Sequence, residues 1–325
     1  MFDKIFNEIF SSKELIAKPP VLVDIGASGK IHSEWKSISR YSICIAFDPD
    51  IREMRYLKNI RKKFKELHII DKIATHKSDK NIDFYLTDSP FCSSTLRPNM
   101  KELNNYSFSN LFKIVDKKRY EAVNIKRVIN NLKTSSIDWF KTDSQGTDLK
   151  LFKFLDEKII KNILVADFEP GIINAYEGED KLYSVMEYMD NQPFWICSMT
   201  VNGPERVKQS FLNNENIAKY FKYGNGLCDS SPGWAEVTYF NNFEAIKPLT
   251  RRKLLLGCVF AIIKNQLGFG LELAYKGEKL YNDIVFSNIK KWILKTLKVR
   301  YLKKKLFDFF GFPIKIVARL IRIFP

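Results

Sequence analysis

The sequence predicts an α/β fold built on a mostly parallel sheet, and three stretches carry that prediction. Residues 21–29 read VLVDIGASG, an apolar run that ends in an acid and then in glycine and small residues. Residues 41–50, YSICIAFDPD, repeat the pattern of an apolar run closed by an acid. Residues 137–155, IDWFKTDSQGTDLKLFKFL, and 163–170, ILVADFEP, give two further short buried runs, the first leading into a turn and a helix. Runs that are apolar at successive positions suit strands covered on both faces, as in parallel sheets. Alternation with helical segments then points to doubly wound α/β architecture.

The first run is the usual opening of a nucleotide-binding α/β unit, a strand followed by a glycine turn and a helix start, here IHSEW at 31–35. Its spacing departs from the dinucleotide fingerprint G-x-G-x-x-G, because Ser28 and Ile31 stand at the second and third glycine positions. What remains is D-x-G-x-x-G over Asp24, Gly26 and Gly29. A strand-end acid before such a turn suits a ligand with an amino group, such as S-adenosylmethionine (SAM), whose ammonium can meet Asp24. Another nucleotide, or a plain strand–turn, also fits this motif taken alone. The cofactor contacts expected here are Asp24, Ile25, Gly26, Ala27, Ser28 and Gly29.

Ahead of this strand, residues 1–20 carry apolar residues at helical spacing with acids among them, which predicts a short helix packed on the domain and closed by Pro19 and Pro20, not a signal peptide. After it, Asp48 closes the second strand, where a carboxylate can accept both hydroxyl hydrogens of a ribose. Pro49 and Ala74 are expected beside it on the cofactor. Residues 54–67 read as an amphipathic helix with a basic outer face, 67–75 as a third strand and 81–87 as a fourth extended piece. The loop SPFCSSTLRPNM at 89–100 reads either as a cover over the ligand, with Ser93, Ser94 and Arg97 as substrate contacts, or as a plain surface connection. Residues 123–132 precede a stretch with no clear pattern.

Asp143 falls at the carboxyl end of the strand before Gly146, and that end of a doubly wound sheet lines the ligand crevice. It is the expected crevice acid, as base or as ligand contact, with a helix-capping role as its alternative. Gln145 and Glu169 are the expected substrate contacts beside it. Of three histidines, His32 adjoins the first loop and His76 follows the third strand; either can serve as a base, and His76 is taken with Asp143 as catalytic. Asp143, Asp167 and Glu169 have the oxygen chemistry of a hard-cation site, but no metal is assigned. Residues 194–201 and 234–240 are expected to close the sheet as an antiparallel pair.

The set VDIGASG, AFDPD, DWFKTDSQGTDLKLF and VADFEP resembles the FkbM-like family of SAM-dependent methyltransferases over roughly residues 20–240. Lys141, Asp143 and Gly146 carry the most specific part. Two positions depart from the family pattern: Lys30 stands where a glycine is usual, and Asp148 where a glutamate is usual. The resemblance implies a class I methyltransferase, a Rossmann-like fold with a mostly parallel seven-stranded sheet whose last pair is antiparallel. It implies SAM as cofactor and O-methylation of a sugar hydroxyl on a glycan or lipid-linked saccharide. The expected organisation is a SAM-binding domain over 1–250, a helical appendage over 251–286 and a basic amphipathic tail over 287–325.

Composition limits the remaining choices. The 325 residues are 45% apolar, enough for a full core, and the five cysteines are scattered and never paired as C-x-x-C, which favours reduced thiols in a cytosol. The net charge is +16, of which residues 287–325 hold +10, from eleven Lys or Arg against Asp308. The apolar run 254–263 is too short for a span, which needs about twenty residues, and reads as a buried helix under the sheet. The tail mixes these charges with Trp292, Phe307, Phe309, Phe310, Phe312 and Phe324, the composition of an interfacial helix on the cytoplasmic face of an anionic membrane, with packing on the core or a second subunit as its alternative. A nucleic-acid methyltransferase fits the charge, but no recognition module accompanies it. A catalytically silent scaffold in glycan assembly is the other alternative, against which stand Asp24 and Asp48.

Overall fold

A computed structural model describes residues 3–27, 31–49, 61–78, 80–132, 136–221, 224 and 226–310. The chain divides into two compact units, residues 18–248 and residues 1–17 together with 249–325. The strands of the larger unit are β1 (Val21–Ile25), β2 (Ile43–Phe47), β3 (Glu66–Ile70), β4 (Ile73–Thr75), β5 (Asn81–Thr87), β6 (Ile114–Asn124), β7 (Trp139–Thr142), β8 (Val165–Phe168), β9 (Phe194–Asn202) and β10 (Trp234–Asn241).

Seven of them form one sheet in the order β3-β2-β1-β7-β8-β10-β9. All neighbours pair in parallel except β10, which runs antiparallel to both β8 and β9. The protein is therefore α/β with a mostly parallel seven-stranded sheet, Rossmann-like in layout. The expected β1 is buried at every position. Val23, Ile25, Phe140, Phe152 and Phe168 share one core cluster, in which Phe152 packs edge-on against Phe140 and Phe168. That packing explains the helix Asp148–Lys153 (DLKLFK), whose Leu149 and Phe152 turn inward one helical step apart.

Several elements differ from their sequence reading. The stretch 67–75 is not one strand: Asp71 and Lys72 break it, and Ile73–Thr75 joins a second sheet of order β4-β6-β5. β6 has no counterpart in the sequence reading, because IVDKKRYEAVN alternates no apolar face and is largely exposed. Its pairing with β5 rests on the backbone ladder, on Lys117 and Arg119 beside Asp83, and on an edge-to-face contact of Tyr120 with Phe84. The helix start expected at IHSEW is a single 3₁₀ turn, Ser33–Ser37, with Trp35 fully buried. Of the helix expected over 54–67, residues 54–60 lie outside the described residues; Arg61–Lys63 is a 3₁₀ turn and Glu66 already belongs to β3.

The smaller unit is helical: Asp3–Phe10, Lys13–Ala17, Arg251–Ile263, Leu267–Tyr281 and Ile284–Phe310. The N-terminal helices thus group with the C-terminal ones, not with the sheet. Asn288 donates to Glu8 at 2.6 Å, and Arg251 pairs with Glu14 and Asp283. Arg251–Ile263 is buried almost throughout, and no described helix is long and apolar enough to cross a membrane. The last helix begins three residues before the expected tail and is anchored by Phe286, Ile289 and Ile293, all fully buried. From Leu294 to Asp308 it is largely exposed, to 65% at Phe307. Its apolar and basic residues do not separate onto opposite faces: the stripes Leu294–Lys298–Leu302–Leu306 and Lys295–Val299–Lys303–Phe307, each in steps of four, mix both kinds. Residues 311–325, with Phe312 and Phe324, lie outside the described residues.

Candidate functional site

Parallel strands all end on the same side, so β1, β2, β7 and β8 deliver their following residues to one crevice. A cavity of about 440 Å³ opens there. Ile25 and Gly26 reach it from β1, Asp48 and Pro49 from β2, Asp143 and Gln145 from β7, and Glu169 from β8. Ala74 of β4, Ser93 of the 89–100 loop, and the rings of Phe108, Phe112, Tyr176 and Trp234 complete much of the wall. Ser28 and Gly29 lie outside the described residues.

Gly26, just after β1, packs closely against the backbone that follows β7. Its φ is +75°, and a Cβ placed on it would stand 2.0 Å from the backbone oxygen of Asp143. Its N–H donates to the Phe47 carbonyl at 3.0 Å, and the Asp143 N–H donates to the Ile25 carbonyl at 3.0 Å, so three strand ends are tied at one point.

Asp24 is not in the cavity wall. It is fully buried, in register with Lys141 on the neighbouring strand, whose ammonium lies 3.1 Å from Oδ1; the His32 N–H donates to Oδ2 at 3.1 Å. The expectation that Asp24 meets a cofactor ammonium is therefore revised, since the protein's own lysine occupies that role. Burial raises the Asp24 pKa while Lys141 opposes the rise. Burial also works against the Lys141 charge, but Asp24 and then Asp143 outweigh it and hold the ammonium protonated. Lys141 Nζ further donates to the Gly26 carbonyl at 3.2 Å and lies 3.9 Å from Asp143 Oδ2. Ala27 is buried, its N–H on the Phe47 carbonyl, and does not line the cavity.

Asp143 is held by Gln145, whose Nε2 donates to Oδ1 at 2.6 Å. Gln145 sits at φ +54° and is fixed from two more sides: the Tyr176 hydroxyl donates to its Oε1 at 2.9 Å and Ser94 Oγ to its carbonyl at 2.7 Å. Ser94 thus supports Gln145 from behind and does not line the cavity, whereas Ser93 does, with its Oγ accepting from the Thr87 N–H at 3.1 Å. Arg97 is exposed and outside the wall. His76 is also outside it; burial, then Lys77 and Lys150, depress its pKa, and the catalytic expectation for it is withdrawn. Asp167 faces away, accepting from Trp139 Nε1 and Thr238 Oγ1, so of Asp167 in β8 and Glu169 just after it only Glu169 reaches the cavity.

Asp148 stitches the turn. Its Oδ1 accepts from Thr142 Oγ1, Ser144 N–H and Ser144 Oγ, and its Oδ2 accepts from the Glu169 N–H at 2.9 Å, which locks the end of β7 to the end of β8. Glu169 itself makes no side-chain hydrogen bond or ion pair with a described residue. Burial, with Asp143, Asp148 and Glu236 nearby, raises its pKa to about 9. Among the described residues no cluster of three or more His, Cys, Asp or Glu is arranged to hold a metal ion.

Sequence reasoning did not assign a role to Lys141, Tyr176 or the ring wall. Lys141 was visible only through the resemblance, and the rings come from segments far apart in sequence. No protein-family model, curated protein or solved structure matches the chain.

Proposed function

We propose that the protein is a SAM-dependent methyltransferase of the FkbM-like kind, acting on a hydroxyl of a saccharide. The observation that carries this reading is the convergence of Gly26, Asp48, Asp143 and Glu169, from the ends of four parallel strands, on one cavity. The seven-stranded order with a reversed final strand supports it, as does the fit of the residues to the cofactor. Asp48 is 3% exposed at the β2 end, suited to a ribose diol, and the described wall carries carboxylates and no basic side chain, which suits a sulfonium. SAM, when bound, supplies an electrophilic methyl group.

The chain's own residues would do the rest. Asp48 would accept the two ribose hydrogens, and the Gly26 turn would let the backbone approach the ligand without a side chain between. Asp143 would accept the proton of the acceptor hydroxyl on Oδ2, since Gln145 already holds Oδ1. Lys141 and Asp148 would act as positioning residues, one behind β1 and β7, the other between β7 and β8. Rigid placement of the two reactants supplies much of the acceleration in such a transfer.

We further infer that the last helix meets an anionic membrane. Supporting this, residues 294–308 are largely exposed and hold six Lys or Arg against Asp308, with Leu302, Leu306 and Phe307 among them. Each such charge near an anionic surface contributes about 1 kcal/mol, and apolar groups add burial in the headgroup layer.

Calorimetry tests the cofactor. SAM and S-adenosylhomocysteine should bind, NAD should not, and Asp48→Ala should weaken SAM by about 1.5–3 kcal/mol through lost bonds to a charged group. Absence of SAM binding, or an unchanged affinity in Asp48→Ala, would defeat the respective assignment.

A further inference from the structure

The cavity has a charge problem that the chain does not solve by itself. Glu169 and Asp143 line the same cavity, and burial, then Asp143, Asp148 and Glu236, work against the Glu169 charge while Lys141 favours it. Its carboxyl group has no hydrogen-bond or ion-pair partner among the described residues. Glu179, the other acid on that side, is already met by Lys181 at 3.3 Å and by the Ala175 N–H at 2.8 Å. No described residue lining the cavity is Lys, Arg or His. An ionised carboxylate in such a place is costly unless a cation joins it.

Aromatic rings line the same cavity. Phe108 stacks on Trp234 at 6.2 Å with 6° between the planes, meets Phe112 edge-on at 5.0 Å, and Phe112 meets Tyr176 edge-on at 5.6 Å. All of these residues line the cavity. Chain connectivity brings the rings to the acid: Gly171, two residues after Glu169, bridges to Trp234, and the Ala235 N–H donates to the Pro170 carbonyl at 3.1 Å. Aromatic faces attract ammonium groups through their quadrupoles and also cover the apolar faces of a ring. Phosphate, by contrast, would meet carboxylates with no described basic group in the wall to receive it.

We propose that the acceptor carries a free ammonium, seated between Glu169 and the ring wall of Phe108, Phe112, Tyr176 and Trp234, on the same hydroxylated body that presents its hydroxyl to Asp143. The acceptor class is an unacylated, unphosphorylated amino polyol such as an amino sugar. The hydroxyl half of this statement rests on the methyl-transfer reading; the ammonium half rests on the cavity alone.

Saturation-transfer NMR on the full chain tests it, with glucosamine, N-acetylglucosamine, glucose and glucosamine 6-phosphate as matched probes, with and without S-adenosylhomocysteine. Glucosamine should bind about tenfold more tightly than each of the others, the ratio expected of one charge-assisted contact. In Glu169→Gln that preference should fall to about twofold or less while the protein stays folded by circular dichroism. Equal binding of N-acetylglucosamine or the phosphorylated sugar, no binding of any probe, or an intact preference in Glu169→Gln would overturn the proposal. Calorimetry with SAM separates the two readings: failure of SAM to bind removes methyl transfer and leaves the amine preference standing, whereas loss of the preference with SAM binding intact removes only the ammonium.

Discussion

Replacing Gly26 by alanine probes the point where β1, β2 and β7 are tied together. Two costs are separable there. An L-residue at φ +75° is in left-handed backbone, which costs about 1–2 kcal/mol. The added Cβ would also stand 2.0 Å from the Asp143 carbonyl oxygen, which is backbone and cannot rotate away. Relieving such an overlap by shifting strands costs about 1–3 kcal/mol more. Gly178 provides the control, because it has nearly the same φ, +73°, and a methyl group added there would meet nothing within 4 Å. Gly178→Ala should therefore lose only the conformational part, about 1–2 kcal/mol, and Gly26→Ala about 2–5 kcal/mol. Urea unfolding followed by tryptophan fluorescence reads both. The shift that relieves the overlap also moves Asp143 away from Gly26, so Gly26→Ala should weaken SAM binding and Gly178→Ala should not. Equal destabilisation by the two substitutions would refute the close-approach argument, since only their steric surroundings differ.

Glu169→Gln should stabilise the protein increasingly as pH rises. The folded carboxyl titrates near 9 against 4.5 for its ordinary value, so the folded state binds more protons in that window and wild-type stability falls through it. After allowance for solvent screening the gain at pH 9 is on the order of 2 kcal/mol, read as a melting-temperature difference that is near zero at pH 4.5. A constant difference across the pH range would contradict the burial and repulsion invoked for Glu169. Asp143→Asn should slow methyl transfer roughly a hundredfold while leaving SAM affinity nearly intact, and equal losses in both would make Asp143 a cofactor ligand instead. Truncation after Thr296 keeps Phe286, Ile289 and Ile293 in place, so the protein should fold and bind SAM but lose binding to anionic vesicles. Vesicle binding that survives the truncation would remove the last helix from the membrane contact.

The sequence by itself determined the sheet's parallel core, because strands buried on both faces carry apolar residues at successive positions, as Val21–Val23 of β1 and Ile43–Phe47 of β2 do. It also marked Asp48, Asp143 and Glu169 as strand-end acids, because each closes an apolar-led run and is followed within three residues by Pro or Gly. The antiparallel closing pair was legible from the two apolar runs near the end of the larger unit. Tertiary structure alone decided what Asp24 does, since a strand-end acid looks the same whether it faces a ligand or, in register across the sheet, the lysine of the next strand. It alone decided that His76 stays out of the cavity and that β6 exists, a strand whose charged residues pair across to β5 and leave no apolar alternation to read. The same holds for the ring wall: Phe108, Phe112, Tyr176 and Trp234 carry no local signal, and only the folding of distant segments over one cavity brings them together. Register, pairing and cavity walls are properties of two or more segments at once, and a single stretch of sequence encodes only its own share of them.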